Sequence, residues 1–305
     1  MNSSTKYAWY VLLVLFITYV ISFIDRMMLN LLVGEIKLDL DLSDTRISLL
    51  QGLAFATFFL LAGIPLGRLA DLKSRKYIIV FGVIVWSAAT ISCGYVETFW
   101  LMFVARMIVG IGEAALTPAA FSMLSDLFDK EMLGRALSIY SSGIWVGSGL
   151  ALLLGGIFLQ EVAHMKSVDI PGLGSFEPWQ AAFLAVGFPG FLVALLVMTL
   201  REPARRSLHS ITNNDRKAGD ELPSFTQVLQ FIGCHRRFFL AHFGGFALFT
   251  LLAQANLAWS PEVLVRGHAV SPATAGLWLG SLYLVFSVAG ICIGGAISDY
   301  FVARG

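Results

Sequence analysis

Long apolar segments recur along almost the whole of this 305-residue chain, and they limit its fold more than any other feature. A helix that crosses a bilayer needs about 20 mostly apolar residues, because lipid offers no hydrogen-bond partner to exposed backbone. The first apolar run is longer than the core of a cleaved signal peptide, so we predict that it remains as a span. By these rules we predict eight spans, near residues 8–33, 46–66, 77–96, 99–124, 134–159, 181–200, 238–259 and 273–298.

Charge and cysteine content exclude several functional classes. Charged residues make up only 13% of the chain, about half the share found in soluble domains. The net charge of +1 excludes a nucleic-acid binder that works through a basic face. Cys93, Cys234 and Cys292 lie far apart, without disulfide or zinc spacing. No HExxH motif, catalytic triad pattern or phosphate-binding loop is present, so we expect no enzymatic activity, no cofactor and no metal.

The distribution of basic residues indicates orientation and domain boundaries. Most of the 21 Lys and Arg residues fall on one side of the membrane if the N-terminus is cytoplasmic. We therefore expect a six-helix bundle over 1–200, a cytoplasmic linker over 201–236 and a partial second bundle of two helices over 237–305. Within the linker, residues 223–235 fit either a short interfacial helix or a plain tether.

Two segments of the chain match each other without a gap, which indicates an internal repeat. Both are helices that end in G-x-x-x-D, and the first is followed by four more spans. We therefore expect two related halves, with four further spans of the second half lying beyond residue 305. The matched pairs, 228 positions apart, are Ser43 with Ser271, Gly52 with Gly280, Gly67 with Gly295, and Asp71 with Asp299.

Four charged side chains lie inside the predicted spans and away from their ends: Asp25, Arg26, Arg106 and Glu113. Each costs about 2.5–3.5 kcal/mol on insertion scales, so such residues usually pair and line an ion or substrate path. Arg106 and Glu113 are seven residues apart, which places them on one helix face about 10 Å apart. Asp25 and Arg106 lie at matching depths in oppositely directed spans. We expect the four residues to pair and to couple proton movement, with a static ion-pair network as the alternative.

The second half carries no matching intramembrane charges in the part that is present. The repeat places Ala253 and Gln254 opposite Asp25 and Arg26, so any proton coupling is expected in the first half. Gln254 and Asn256 in span seven are the polar candidates for substrate contact.

Three motifs resemble those of the major facilitator superfamily. The loop G67-R-L-A-D71-L-K-S-R75-K76 resembles its G-x-x-x-D-R-x-G-R-R/K signature and departs from it at Leu72 and Ser74. The resemblance implies a cytoplasmic latch, in which the basic residues also pair with the carboxylate of the loop. Its expected members are Gly67, Asp71, Arg75 and Lys76, with Gly295 and Asp299 as the counterparts in the second half.

The other two motifs are rich in small residues, which permit close helix packing. R106-M-I-V-G110-I-G112-E113-A-A resembles the fourth-span motif of proton-driven members. In span five, Ser148 replaces the proline of the antiporter motif, so close packing between the halves is expected without a prediction of antiport. The expected packing positions are Gly110, Gly112, Gly143, Gly147 and Gly149.

The segments ISFIDRMMLNLLVGEIKLDLDLSDTRISLLQGLAFA and GEAALTPAA resemble the bacterial spinster-like branch of that superfamily. The resemblance implies an all-α membrane fold with proton-coupled alternating access; eukaryotic members of the branch move amphipathic lipids such as lysophospholipids and sphingosine 1-phosphate. We expect a monomeric multi-pass protein of the bacterial inner membrane whose partners are a small or lipid-like solute, protons and the bilayer. Two alternatives remain: a carrier of organic anions such as sugar acids, bound by Arg26 and Arg106, and a truncated membrane protein that does not transport.

Overall fold

A computed structural model of the chain describes residues 3–162, 165, 167–205, 225–287, 289–290 and 293. In these residues every long element is an α-helix, and seven helical segments are long and apolar enough to cross a membrane. They match the first seven predicted spans. They are Thr5–Leu31, Asp44–Leu72, Arg75–Cys93, Phe99–Leu127, Met132–Glu161, Pro178–Met198 and Arg236–His268.

The element bounds refine these spans. The helices are α1 (Ser3–Leu31), α2 (Val33–Asp39), α3 (Asp44–Ser48), α4 (Ala54–Leu72), α5 (Arg75–Cys93), α6 (Phe99–Glu113), α7 (Leu116–Leu127), α8 (Lys130–Val162), α9 (Pro178–Met198), α10 (Phe225–Cys234), α11 (Arg236–His268) and α12 (Pro272–Leu282). A π-helical turn, Leu49–Leu53, joins α3 to α4, and a second, Tyr283–Ser287, follows α12. The eighth predicted span therefore starts as α12, and residues 288, 291–292 and 294–298 of it lie outside the described part.

Span four is broken, whereas the sequence predicted one uninterrupted helix over 99–124. Pro118 has no N–H group and its ring would clash with the carbonyl of Ala114 in a regular helix, which disfavours an uninterrupted helix at this point. The N–H of Ala115 instead bonds to the carbonyl of Gly112 at 3.3 Å in a tighter turn. This break makes Glu113 the last residue of α6.

The first six spans pack around a common apolar core. α1 packs on α8 and α9, α5 packs on α6 and α9, and α4 packs on α6. Leu12, Val83, Met123 and Val193 are among the buried residues of this core. Large apolar side chains on the opposite helix faces are exposed, as a lipid-facing surface requires.

A small hairpin interrupts the helical pattern between α8 and α9, and the sequence did not predict it. Strand β1 (Val168–Ile170) pairs antiparallel with β2 (Gly174–Phe176). Gly172 and Gly174 have φ values of +83° and +112°, which an L side chain rarely adopts. The turn therefore depends on glycine at both positions.

Contacts divide the chain into two units that differ from the predicted domains. One unit holds Met1–Pro203 with Pro261–Gly305, and the other holds Ala204–Ser260. The first unit includes α12 because α12 lies directly against α8: a Cβ at Gly276 would be 2.6 Å from the carbonyl oxygen of Leu152. The boundaries at 200 and 237 stay predictions of the sequence.

Candidate functional site

The four intramembrane charges lie on two helices of the first bundle. α1 carries Asp25 and Arg26, and α6 carries Arg106 and Glu113. Asp25, Arg106 and Glu113 are 1%, 1% and 2% exposed, so all three are removed from solvent. Such burial requires compensation from nearby groups of opposite charge or from hydrogen bonds.

Arg26 and Glu113 form a buried ion pair, in line with the expectation that the four charges pair. Nε of Arg26 donates to Oε2 of Glu113 at 3.1 Å, and Nη2 donates to the same oxygen. The Glu113 side chain is 1% exposed and the Arg26 side chain 17%. The pair joins α1 to the end of α6, directly before the break in span four.

Three phenylalanine rings surround the guanidinium of Arg26. Its Cζ atom lies 4.4 Å from the ring centroids of both Phe23 and Phe55, and 5.4 Å from that of Phe59. Cζ of Arg106 lies 5.6 Å from the same Phe55 ring. We call Phe23, Phe55 and Phe59 the aromatic box. Sequence reasoning missed it because phenylalanine in an apolar span gives no polar signal.

Asp25 does not pair directly with Arg106, although their depths match. Oδ2 of Asp25 accepts a hydrogen bond from Oγ1 of Thr90 on α5 at 3.1 Å. Among the residues that the structure describes, four buried atoms have no hydrogen-bond partner: Oδ1 of Asp25, Nε and Nη1 of Arg106, and Oε1 of Glu113. Among the described residues, Asp25 therefore contacts Thr90 of α5 and makes no ion pair with Arg106.

The expected latch loop is held by a different set of partners than its motif suggested. Arg75 is buried; it pairs with Asp126 of α7 and with Oε1 of Glu202 at 2.8 Å. Oε2 of Glu202 also accepts from the N–H of Lys76 at 3.0 Å. Asp71 is exposed, and in the part of the chain that the structure describes it forms no ion pair with Arg75. The loop is therefore anchored within its own bundle; Gly295 and Asp299 lie outside the described residues.

Glu202 titrates at a lower pH than an ordinary glutamate. Burial alone would raise its pKa, but hydrogen bonds from the Lys76 and Arg75 backbone and from the Arg75 and Ser74 side chains together lower the pKa. The carboxylate caps the start of α5, where unpaired N–H groups favour a negative charge. Glu202 was not among the predicted site residues, because it lies 127 positions from Arg75.

The packing glycines serve more than one interface. A Cβ at Gly110 would lie 2.5 Å from the carbonyl oxygen of Phe55, and one at Gly112 would lie 2.7 Å from the backbone N of Trp86. The nearest neighbours of Gly143 and Gly147 are Tyr19, Val20 and Phe23 of α1, whereas Gly149 faces Leu284 and Gly280. Gly110 and Gly112 therefore pack within the first bundle. Of the three glycines of α8 named here, only Gly149 contacts the second half of the chain. Gly67 has ordinary contact with Pro118 at 3.7 Å.

A second ion network lies near the chain segment that joins spans one and two. Nζ of Lys37 donates to Asp44 at 2.7 Å, and both terminal nitrogens of Arg266 donate to Asp44 at 2.9 Å. Nε of Arg266 also donates to Glu262 at 2.6 Å. Burial raises the pKa of nearby Glu35, which borders a cavity of about 380 Å³ together with Gln160, Ser271 and Thr274.

The remaining site predictions fall on α11 or concern metals. Gln254 and Asn256 are exposed on α11, and Oδ1 of Asn256 accepts a hydrogen bond from Ser260 at 3.0 Å. They belong to the second contact unit, and their role in substrate contact stays a prediction. The described residues contain no group of three His, Cys, Asp or Glu that would hold a metal ion.

Curated proteins with similar sequences include spinster proteins and an efflux pump. The chain is 25% identical over 311 residues to "Protein spinster" of Drosophila melanogaster, and the alignment covers 100% of this chain and 48% of that protein. It is 27% identical to "Protein spinster homolog 1" of Homo sapiens, covering 82% of this chain and 44% of the relative. An "MFS-type efflux pump" of Mycolicibacterium smegmatis is 26% identical, and the alignment covers 97% of this chain and 64% of the pump. The chain thus spans about half the length of the spinster relatives.

Solved structures with a similar fold give the same family. A bacterial homologue of the human lysosomal transporter Spinster, in an inward-facing and unoccupied conformation, superposes with a TM-score of 0.79 at 31% identity, covering 100% of this chain and 65% of that chain. A D-xylose–proton symporter superposes with a TM-score of 0.65 at 17% identity, with 95% and 70% covered, which shows the shared fold alone. The Major Facilitator Superfamily profile matches residues 15–305. The chain belongs to the major facilitator superfamily, and its relatives include the spinster branch.

Proposed function

We propose that this chain is part of a secondary transporter that moves an amphipathic, lysophospholipid- or sphingolipid-like solute by proton-coupled alternating access. The observation that carries the proposal is the Arg26–Glu113 ion pair, which lies between two membrane spans and beside a second, incompletely bonded acid and base. Intramembrane ionisable groups that pair across helices usually mark an ion or substrate path. The similarity to spinster proteins supports the choice of solute class.

In this mechanism the proton changes the partner of an arginine. A buried carboxyl group is favoured in its neutral form by desolvation and in its charged form by an adjacent guanidinium. Protonation of Glu113 removes the counter-charge of Arg26, so Arg26 or Arg106 can change partner as Glu113 and Asp25 alternately gain and lose a proton. The two pairings would correspond to the outward-facing and inward-facing arrangements of the bundle.

The setting of this mechanism is also proposed. The protein would be a monomer of the bacterial inner membrane with its N-terminus in the cytoplasm, in line with its basic residues. Gly67, Asp71, Arg75 and Lys76 would close the cytoplasmic side in one state. The anchoring of Arg75 by Glu202 and Asp126 supports a rigid loop that moves with its bundle.

Proton-driven uptake into liposomes tests the proposal. The full-length protein is reconstituted, and uptake of radiolabelled lysophosphatidylcholine is measured with and without an imposed pH gradient. We expect gradient-dependent uptake, which Glu113→Gln or Asp25→Asn abolishes while solute exchange without a gradient continues. The matched controls are the exposed acids Glu97→Gln and Asp169→Asn, which should behave as wild type. Full gradient dependence in either site variant would refute the coupling role.

A second candidate is a carrier of small organic anions. It is favoured by Arg106, whose buried Nε and Nη1 have no hydrogen-bond partner in the described part of the chain and would suit a carboxylate. Counterflow with labelled gluconate, run beside the labelled lysolipid, separates the candidates. Exchange of gluconate alone, lost in Arg106→Gln, would favour the anion carrier, and exchange of neither probe would favour a membrane protein without these transport activities.

A further inference from the structure

We infer that Phe55 is a positioning residue, which with Phe23 and Phe59 holds the Arg26 guanidinium in place on Glu113. The inference rests on the proposed function, since it assigns the group that keeps the coupling pair assembled. Phe55 does not touch the reacting proton; it acts through the orientation of Arg26.

The geometry leaves the aromatic box as the main support of the guanidinium faces. Arg26 directs Nε and Nη2 to one oxygen of Glu113, so its edge is occupied by the carboxylate. The Phe23 and Phe55 centroids both lie 4.4 Å from Cζ, within the distance at which a cation is attracted to a ring face. Phe55 is 7% exposed and Phe23 5%, so water does not compete effectively for these contacts.

The backbone that carries the Phe55 ring is itself fixed by helix packing. α6 approaches α4 so closely at Gly110 that a Cβ there would be 2.5 Å from the Phe55 carbonyl oxygen. The Phe55 and Phe59 rings also stack, with centroids 5.5 Å apart. The backbone that carries these two rings therefore keeps its position relative to α6, which carries Glu113.

Phe55 is also the ring shared by both intramembrane arginines. Cζ of Arg106 lies 5.6 Å from its centroid, on the helix that carries Glu113. Only Arg26 forms an ion pair with Glu113 among the contacts that the structure describes. The box therefore favours Arg26 over Arg106 as the partner of Glu113, because Arg26 contacts three rings and Arg106 one.

Several other ionisable groups face this pair and must stay unchanged in any test. Asp25 of α1 and Arg106 of α6 act on the pair electrostatically. The phenols of Tyr19 on α1 and Tyr140 on α8 also lie within electrostatic reach of Arg26. The thiol of Cys93 on α5 faces Arg106. A substitution of Phe55 alters none of these groups, so a change in pairing reports on the ring.

The test compares Phe55→Leu, which keeps apolar volume without a ring, with Phe55→Tyr, which keeps the ring. The matched control is Phe183→Leu, the same change at a buried ring of α9 that does not belong to the box. The first readout is a double-mutant cycle of thermal stability between Arg26→Met and Glu113→Gln, measured in each background. The second is the pH midpoint of proton-driven lysophosphatidylcholine uptake.

We expect the Arg26–Glu113 coupling to fall by at least about half in Phe55→Leu, and the uptake midpoint to move by about one pH unit, a tenfold change in proton affinity. Phe55→Tyr should restore both readouts, and Phe183→Leu should change neither. If Phe55→Leu does not fold, Phe59→Leu gives the same test with a smaller effect, since its ring lies farther away. An unchanged coupling in the box variants, or an equal change in Phe183→Leu, would overturn the inference. If wild-type uptake shows no pH dependence while Phe55→Leu still weakens the Arg26–Glu113 coupling, the proposed function alone would be overturned.

Discussion

The Arg26–Glu113 pair should contribute strongly and cooperatively to stability, and a double-mutant cycle measures its contribution. Glu113→Gln leaves a guanidinium that is 17% exposed without a counter-charge, and Arg26→Met leaves a carboxylate whose side chain is 1% exposed. Removing one partner of a fully buried pair typically costs about 3–5 kcal/mol. The aromatic box and the residual exposure of Arg26 reduce that cost, so we expect about 2–3 kcal/mol for Glu113→Gln.

The double variant, Arg26→Met with Glu113→Gln, should be less destabilised than the sum of the single variants. The reason is that it leaves no unpaired charge, and replacing a buried pair by neutral groups is often nearly neutral. We expect a coupling of about 2 kcal/mol, seen as a melting temperature several degrees above the additive value. The assay is thermal unfolding of the purified protein in detergent, followed by tryptophan fluorescence.

A surface pair provides the matched control for this cycle. Lys37 and Asp44 form an ion pair whose side chains are 32% and 48% exposed. Exposed pairs contribute about 0.2–1 kcal/mol, because solvent screens them. Lys37→Met with Asp44→Asn should therefore show weak coupling. Additive effects at Arg26 and Glu113, no larger than those of the control, would refute the reasoning that the buried pair is a cooperative unit.

Two further predictions test close packing and pH dependence. Gly110→Ala should destabilise the protein by about 1–3 kcal/mol, since its Cβ meets the Phe55 carbonyl. Gly134→Ala is the control and should be neutral or stabilising, because a Cβ at Gly134 would have nothing within 4 Å. Thermal unfolding of both variants checks this, and equal effects would contradict the prediction. Glu202→Gln should lower stability by about 1 kcal/mol at neutral pH, an amount reduced by the 33% exposure of the side chain. Because folding lowers the pKa of Glu202, this stabilisation is present above about pH 4.3 and is lost as pH falls through the folded pKa, so variant and wild type should converge in acid.

Features that depend on one local segment were predictable from the sequence. Apolar length gave the first seven spans, because each span must satisfy its own backbone within the bilayer. The seven-residue spacing of Arg106 and Glu113 placed both on α6, although it did not show the break at Pro118. The rarity of charges in the spans predicted that the four charged residues pair, although it did not assign Arg26 to Glu113.

Features that join distant segments were not predictable in the same way. Thr90 lies 65 positions from Asp25, Glu202 lies 127 from Arg75, and Arg266 lies 222 from Asp44. No local pattern relates such residues, because their contact depends on which helix faces meet. The same reason explains why Gly143 and Gly147 pack on α1 and do not join the two halves.

The sequence by itself determined that this protein is helical, membrane-embedded and marked by four intramembrane charges, because the bilayer imposes length and polarity rules on each segment separately. Only the tertiary structure decided the partners of those charges. It pairs Arg26 with Glu113 beside three phenylalanine rings. It also places Asp25 in a hydrogen bond with Thr90 and not in an ion pair with Arg106. The physical reason is that a buried charge is stabilised by the specific groups that packing brings within a few ångströms, and packing is a property of the assembled helices.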